Sequence, residues 1–269
     1  MVAEPNDHHE QSGVSWSDML ALKPFRAVGG FSAMALDTLA VMFKRPFAWR
    51  EFLEQTWFVA SVSVVPALIL IFPFEVLTVF TFNLLLVEFG AADLSGTGAS
   101  LAAVNQIGPF VTVLVVAGAG AAAMCADLGA RTIREELDAM RVMGVDPMQA
   151  LVVPRVLAAT LCALLLSSVV TIVGVTGGFL FSVFVQHVTP GAFVSGMTLI
   201  TGLSDVVVSM LKATLFGLTA GLIACYQGIT VRGGPAGVGN AVNETVVYAF
   251  VMLFVINLVV TAVGFEVTK

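Results

Sequence analysis

Five long apolar stretches separated by short polar segments organise the chain: residues 58–87, 104–128, 154–185, 206–229 and 242–265. A bilayer core takes about 20 mainly apolar residues per helical crossing, so each stretch predicts one membrane-spanning helix. The first is longer than a straight crossing requires and contains Pro66 and Pro73, which predicts a kinked or partly re-entrant segment. Ahead of it, residues 28–43 mix apolar positions with Ser32, Asp37 and Thr38, and residues 47–57 set Arg50, Glu51 and Glu54 beside Trp49, Phe52 and Trp57. Both read as amphipathic helices at headgroup depth; the alternative for 28–43 is a short first span. Residues 1–27 are expected to be a disordered cytosolic tail, and 1–13 lack the apolar core of a signal peptide. The pattern predicts an all-α polytopic membrane protein in three parts. These are a tail (1–27), N-terminal interfacial helices (28–57) and a domain of five transmembrane helices (58–269).

Composition removes the soluble alternatives. Hydrophobic residues make up 58% of the 269 positions and charged residues 11%, against roughly a quarter charged in soluble domains. With so few charges, the net charge of -6 says less than their placement. Lys23, Arg26, Lys44, Arg45 and Arg50 precede the first span, Arg131, Arg134, Arg141 and Arg155 lie between the second and third, and Arg232 between the fourth and fifth. Short cytosolic loops retain basic residues, which predicts a cytosolic N-terminus and, after five crossings, an external C-terminus. Lys212 and Lys269 are the exceptions. Cys125, Cys162 and Cys225 fall in apolar stretches without metal-type spacing, so neither disulfides nor zinc are expected.

Small residues concentrate in the spans, at 117–123, at Gly174, Gly177 and Gly178, and at Gly217 with Gly221. They predict close helix packing within the subunit, with a dimer face as the other reading. The absence of a visible internal repeat weakens an inverted-repeat transporter.

The charged segment between the second and third stretches, residues 131–143, consists of good helix formers, with Gly144 placed for a left-handed cap and Pro147 beyond it. Ile133, Leu137, Met140 and Val142 form an apolar stripe, while Arg134, Glu135, Asp138 and Arg141 carry charge elsewhere, with Arg134 and Asp138 in i, i+4 register. Periodicity alone fits a plain connector as well as a docking element. The surrounding string, GARTIREELDAMRVMGVDPMQALVVPR over residues 129–155, together with Gly108-Pro109 and YQGITVRGGPAGVGNAVNETVV over residues 226–247, closely resembles the signature of the MlaE/YrbE permease family. The wording is most similar to the A-type YrbE permeases of Mce (mammalian cell entry) lipid transport systems, and the resemblance covers most of residues 40–265.

That resemblance implies the membrane subunit of an ABC-type lipid transporter in the plasma (inner) membrane. Its implied partners are a B-type YrbE permease chain, two copies of a cytosolic ABC ATPase and extracytoplasmic MCE-domain proteins. The segment 131–143 would be the coupling helix gripped by the ATPase. Arg134, Glu135, Glu136, Asp138, Met140, Arg141, Met143, Gly144, Asp146 and Pro147 are the expected coupling residues, with Met140 and Met143 as apolar anchors. The chain has no G-x-x-x-x-G-K-[ST] string, so ATP and Mg belong on the partner and no cofactor is expected here. By family position, Thr81, Leu85, Leu86, Phe89, Asn105, Gln106 and Ile107 would line a lipid pocket. Some family members carry an Arg-Glu pair where this chain has Asn105 and Gln106; amides suit a hydroxyl or carboxyl of a weakly charged lipid.

Two other classes remain. Glu75 is an acid inside the first span, and such residues are functional candidates because burying them is costly; it is the feature that a proton-coupled secondary transporter of a hydrophobic substrate would use. An intramembrane enzyme would need a base, but His8, His9 and His187 all lie outside the spans. Asp127 is expected to pair with Arg131 at the membrane boundary, and Asn243 with Glu244 to start the fifth span as N-cap and first-turn acid.

Overall fold

The computed structural model describes residues 16–42, 47–90, 97–98, 102–200 and 202–267, with side chains omitted at 16–27, 87, 102, 198–200, 203 and 265–267. Residues 1–15 of the expected tail, His8, His9, Lys44, Arg45, Lys269 and most of the loop at 91–100 lie outside the described residues.

Five helices are long and apolar enough to cross a membrane: Trp49–Leu86, Ala103–Ile133, Met148–Phe184, Ser204–Ile229 and Gly234–Gly264. In chain order the elements are α1 (Trp16–Val41), α2 (Trp49–Glu88), α3 (Gly108–Val115), α4 (Ala122–Ile133), α5 (Glu136–Val142), α6 (Val153–Phe184), α7 (Pro190–Ile200), α8 (Leu203–Ile229) and α9 (Gly234–Val267). Three π-helical turns join them: Ala102–Ile107 leads into α3, Val116–Ala121 joins α3 to α4, and Met148–Val152 leads into α6.

Several expectations change. α1 begins at Trp16, inside the segment expected to be disordered. Residues 49–57 are the opening turns of α2 rather than a separate amphipathic helix, and α2 continues for 40 residues through Pro66 and Pro73. The re-entrant reading is therefore overturned: each proline removes one i−4 hydrogen bond without ending the helix, a break that membrane helices tolerate. The fifth span starts at Gly234, so Asn243 and Glu244 sit well inside α9, where Glu244 accepts a hydrogen bond from Gln227 Nε2 at 3.2 Å. Helix α7 was not foreseen.

The buried positions of α2 recur every four residues: Gln55, Val59, Ser63, Ala67, Ile71, Glu75, Val79 and Asn83. With 3.6 residues per turn, each step of four advances about 40° around the helix, so the buried line winds and meets a succession of neighbours. Near its start, the backbone oxygen of Thr56 accepts from Cys162 Sγ at 3.3 Å. Ser63 and Val59 then lie against Gly120, and Ile71 against Gly174. Val79 packs with Phe193 of α7, whose ring stacks edge-on to Phe179 at 5.3 Å. Asn83 finally donates to Gln186 just beyond α6.

The glycines of α8 serve internal packing. A Cβ on Gly217 would stand 2.5 Å from Thr160 Cα, and one on Gly221 3.2 Å from Val156 Cα. The Gly217 and Gly221 face is thereby taken up by α6 and not left for a dimer.

Candidate functional site

The segment between the second and third spans folds as two pieces rather than the single helix expected over 131–143. α4 ends at Ile133, and Glu135 takes φ 60°, ψ 19°, the left-handed region. A non-glycine residue there costs about 1–2 kcal/mol, and the chain bends at this point before α5. Glu135 N–H donates to Thr132 O at 3.1 Å while Glu135 O accepts from Ala139 N–H at 3.0 Å, so the bend is bonded on both sides. α5 ends as the residues foretell: Gly144 has φ 78°, its N–H bonds Arg141 O at 3.0 Å, and Val145 N–H bonds Met140 O at 2.9 Å. That double closure is a Schellman cap. Asp146 Oδ1 then accepts the Met148 N–H at 3.0 Å, and Pro147 is buried at the entry to the following π-helical turn.

The bend redistributes the side chains. Leu137 is buried in a cluster with Met34, Leu128, Leu151 and Val156, and Met140 packs against the same cluster. Of the two methionines expected as outward anchors, only Met143 faces out. Val142, placed on the inward stripe by periodicity, is instead 89% exposed, and Met143 is 71% exposed. Arg134 pairs with Glu136 at 2.9 Å and not with Asp138, which takes Arg141 at 2.7 Å. The outer surface is thus an apolar tip, Val142 with Met143 and Val145, flanked by two ion pairs and the exposed Glu135.

Beneath α5 lies a charge network centred on Arg155, which the sequence reading counted only among the loop charges. The Arg155 side chain is fully buried. Its Nη2 donates to Asp127 Oδ2 at 2.6 Å, and its Nη1 lies 3.0 Å from Glu51 Oε1 and donates to Leu151 O at 3.1 Å. Asp127 also meets Arg131 Nε at 3.4 Å, the pair that was expected, and Gln55 Nε2 donates to Glu51 Oε1 at 3.1 Å. One guanidinium therefore ties the starts of α2 and α6 to α4. Thr132 Oγ1, donating to Gly228 O at 2.9 Å, adds α8. The one signal in the sequence was the position of Arg155 just inside an apolar span.

The residues expected to line a lipid path spread over several environments. Thr81 and Leu85 lie on the exposed side of α2, where the Thr81 hydroxyl donates to Leu77 O at 2.8 Å, Leu86 is half-buried, and Phe89 is exposed in the turn just beyond the helix. Asn105 is half-buried and Gln106 exposed on the π-helical turn Ala102–Ile107, while Ile107 turns into the core. A recess of 260 Å³ opens on the other side of that turn, between Val104, Ser167, Thr171, Ile172, Ser209 and Met210; none of the seven lines it. Glu75 is 1% exposed, and neither carboxylate oxygen has a hydrogen-bond partner.

Five apolar spans, with a short capped helix seated by Leu137 between the second and third, define a multi-pass membrane protein. Residues 52–263 match the Permease MlaE family model, and the chain belongs to that family. A Synechocystis protein described as a probable ABC transporter permease is 31% identical over 225 residues, covering 81% of this chain and 83% of its own length. A Rickettsia typhi protein of the same description is 28% identical over 247 residues, covering 91% and 95%. The intermembrane phospholipid transport system permease protein MlaE of Haemophilus influenzae is 29% identical over 181 residues, covering 67% and 69%.

Proposed function

We propose that this chain is the permease subunit of an ABC-type lipid transporter of the Mce kind, forming the lipid path while a separate cytosolic ATPase supplies the energy. The observation that carries this reading is α5: a capped helix with an apolar tip, Val142 and Met143, exposed beside Glu135 and the Asp138–Arg141 pair. Buried apolar anchors ringed by polar contacts are how partners grip one another, and a helix seated on Leu137 passes on a push that a loose loop would absorb. ATP and Mg would be held by two copies of that ATPase. The second permease of the pair would be a B-type YrbE chain, and MCE-domain proteins would stand over the external side. In this arrangement the protein lies in the plasma (inner) membrane, with its N-terminus and α5 in the cytosol and its C-terminus outside. Lipid would pass along the outer turns of α2 and the turn that bears Asn105 and Gln106.

Purification through this chain, with mass spectrometry of what accompanies it, tests the reading. An ABC ATPase, a second permease and bound lipid are expected; their absence overturns it. Charge reversal, Glu135→Lys with Glu136→Lys, is expected to cut ATPase association while membrane insertion persists. The buried, unpartnered Glu75 favours a second reading, proton-coupled transport. Transport that stops with a proton ionophore and persists without the ATPase would establish that alternative.

A further inference from the structure

The charge network around Arg155 lies away from the exposed tip of α5 and encloses its arginine completely. Its cost is evident: an arginine buried without trace of exposure, with Nε lacking a partner. Well-packed apolar side chains are often as stabilising as a buried ion pair, or more so, so stability alone does not account for a cation here. Its connections form a path. From the bend at Glu135 the chain runs back along α4 to Asp127, Asp127 holds Arg155, and Arg155 holds Glu51 in the first turn of α2. Gln55, one turn further along α2, fixes Glu51 by a second hydrogen bond. Among the described residues, this is the ionic connection between α4 and α2.

The two ends of the path differ in kind. At one end α5 presents an exposed tip; at the other α2 runs across the bundle to its outer turns at Thr81 and Leu85. Asp127 and Glu51 keep 31% and 19% of their side chains exposed, so each carboxylate has room to shift with its helix while the guanidinium between them stays enclosed. Asp127 accepts from Arg155 and also forms an ion pair with Arg131 at 3.4 Å, which gives it an alternative partner when α4 moves.

We propose that Arg155 is a positioning residue for transport: through Asp127 and Glu51 it carries displacement of α5 to α2. The proposal rests on the permease reading above. It assigns Arg155 no contact with lipid or nucleotide, and it makes α2 the helix that answers the ATPase.

The test uses the full complex in vesicles of phosphatidylethanolamine and phosphatidylglycerol, with spin labels at Leu85→Cys on the last turns of α2 and Val263→Cys on the far end of α9. The label-to-label distance is read without nucleotide and with vanadate-trapped ATP. In the otherwise wild-type complex the distance is expected to change with nucleotide. In Glu51→Gln and in Asp127→Asn the change should be lost while the ATPase still co-purifies and hydrolyses ATP. Arg155→Lys should restore part of it, and Glu54→Gln, which alters the exposed Arg50–Glu54 pair, should leave it intact. A merely structural role would lower complex yield and leave the distance change of the surviving complex untouched. An undiminished change in Glu51→Gln overturns the proposal alone, as does a labelled wild-type complex in which nucleotide does not move α2. Absence of any ATPase from the wild-type preparation overturns the permease reading and this proposal with it.

Discussion

The two ends of α2 meet their surroundings in opposite ways. At the loop end, Glu51 is held by Arg155 and Gln55, and the neighbouring carboxylate, Asp127, has two cations. Further along, most polar atoms of the same buried line lack partners, Ser63 Oγ, both Glu75 oxygens and Asn83 Oδ1, with Ser182 Oγ on facing α6, while Asn83 reaches Gln186 only through its amide nitrogen. Leaving a buried polar group unpaired costs about 1–3 kcal/mol, and a paired network resists change because each group would be stranded by it. The contrast teaches a division of labour along one helix. The loop end is fastened, and the rest is packed tightly by shape yet held loosely by polar bonds.

Substitutions can break that comparison, the largest effect coming from the fastened end. Arg155→Met strands Asp127 and Glu51 and should destabilise the protein by about 3 kcal/mol or more, read as lost yield and a lower thermal midpoint in detergent. Next, Leu137→Ala empties the seat of α5 at a cost of about 2–3 kcal/mol; limited proteolysis should then cut within residues 134–147, and ATPase association should fall. Glu75→Gln should change stability little, by under about 1 kcal/mol, read as a small shift of the thermal midpoint, because no cation is left behind. A loss as large as that of Arg155→Met would show that Glu75 is fastened too and would end the contrast. Smallest is Arg141→Ala, which removes an ion pair with side chains 64% and 70% exposed. Such pairs contribute about 0.5 kcal/mol or less, so stability should hold while docking of the ATPase weakens.

The five spans were legible because each depends on its own residues: an apolar run has one stable place beside lipid. The cap at Gly144 was legible for the same reason, since only the local backbone is involved. Glu135 was not, because it sits in a string of good helix formers, and the bend there follows from where Leu137 finds its cluster. Val142 left the apolar stripe for the exposed face, while Met140 stayed on it against the Leu137 cluster. Arg155 was hidden because the carboxylates that hold it come from residues 51 and 127, which no local pattern connects. The start of α2 at Trp49 was missed since amphipathic composition fits a helix lying flat as well as the first turns of one that crosses.

The four-residue recurrence along α2 makes its contact line a screw thread. Over the seven steps from Gln55 to Asn83 the thread turns through about 280°. A helix gripped along a straight seam could be drawn sideways from the bundle in one motion; a threaded one cannot, because its neighbours face it from several directions. It can turn about its own axis while advancing, so that contacts part in sequence from one end. A twist applied at Glu51 would therefore reach Asn83 last, making the order of opening a property of the sequence spacing itself.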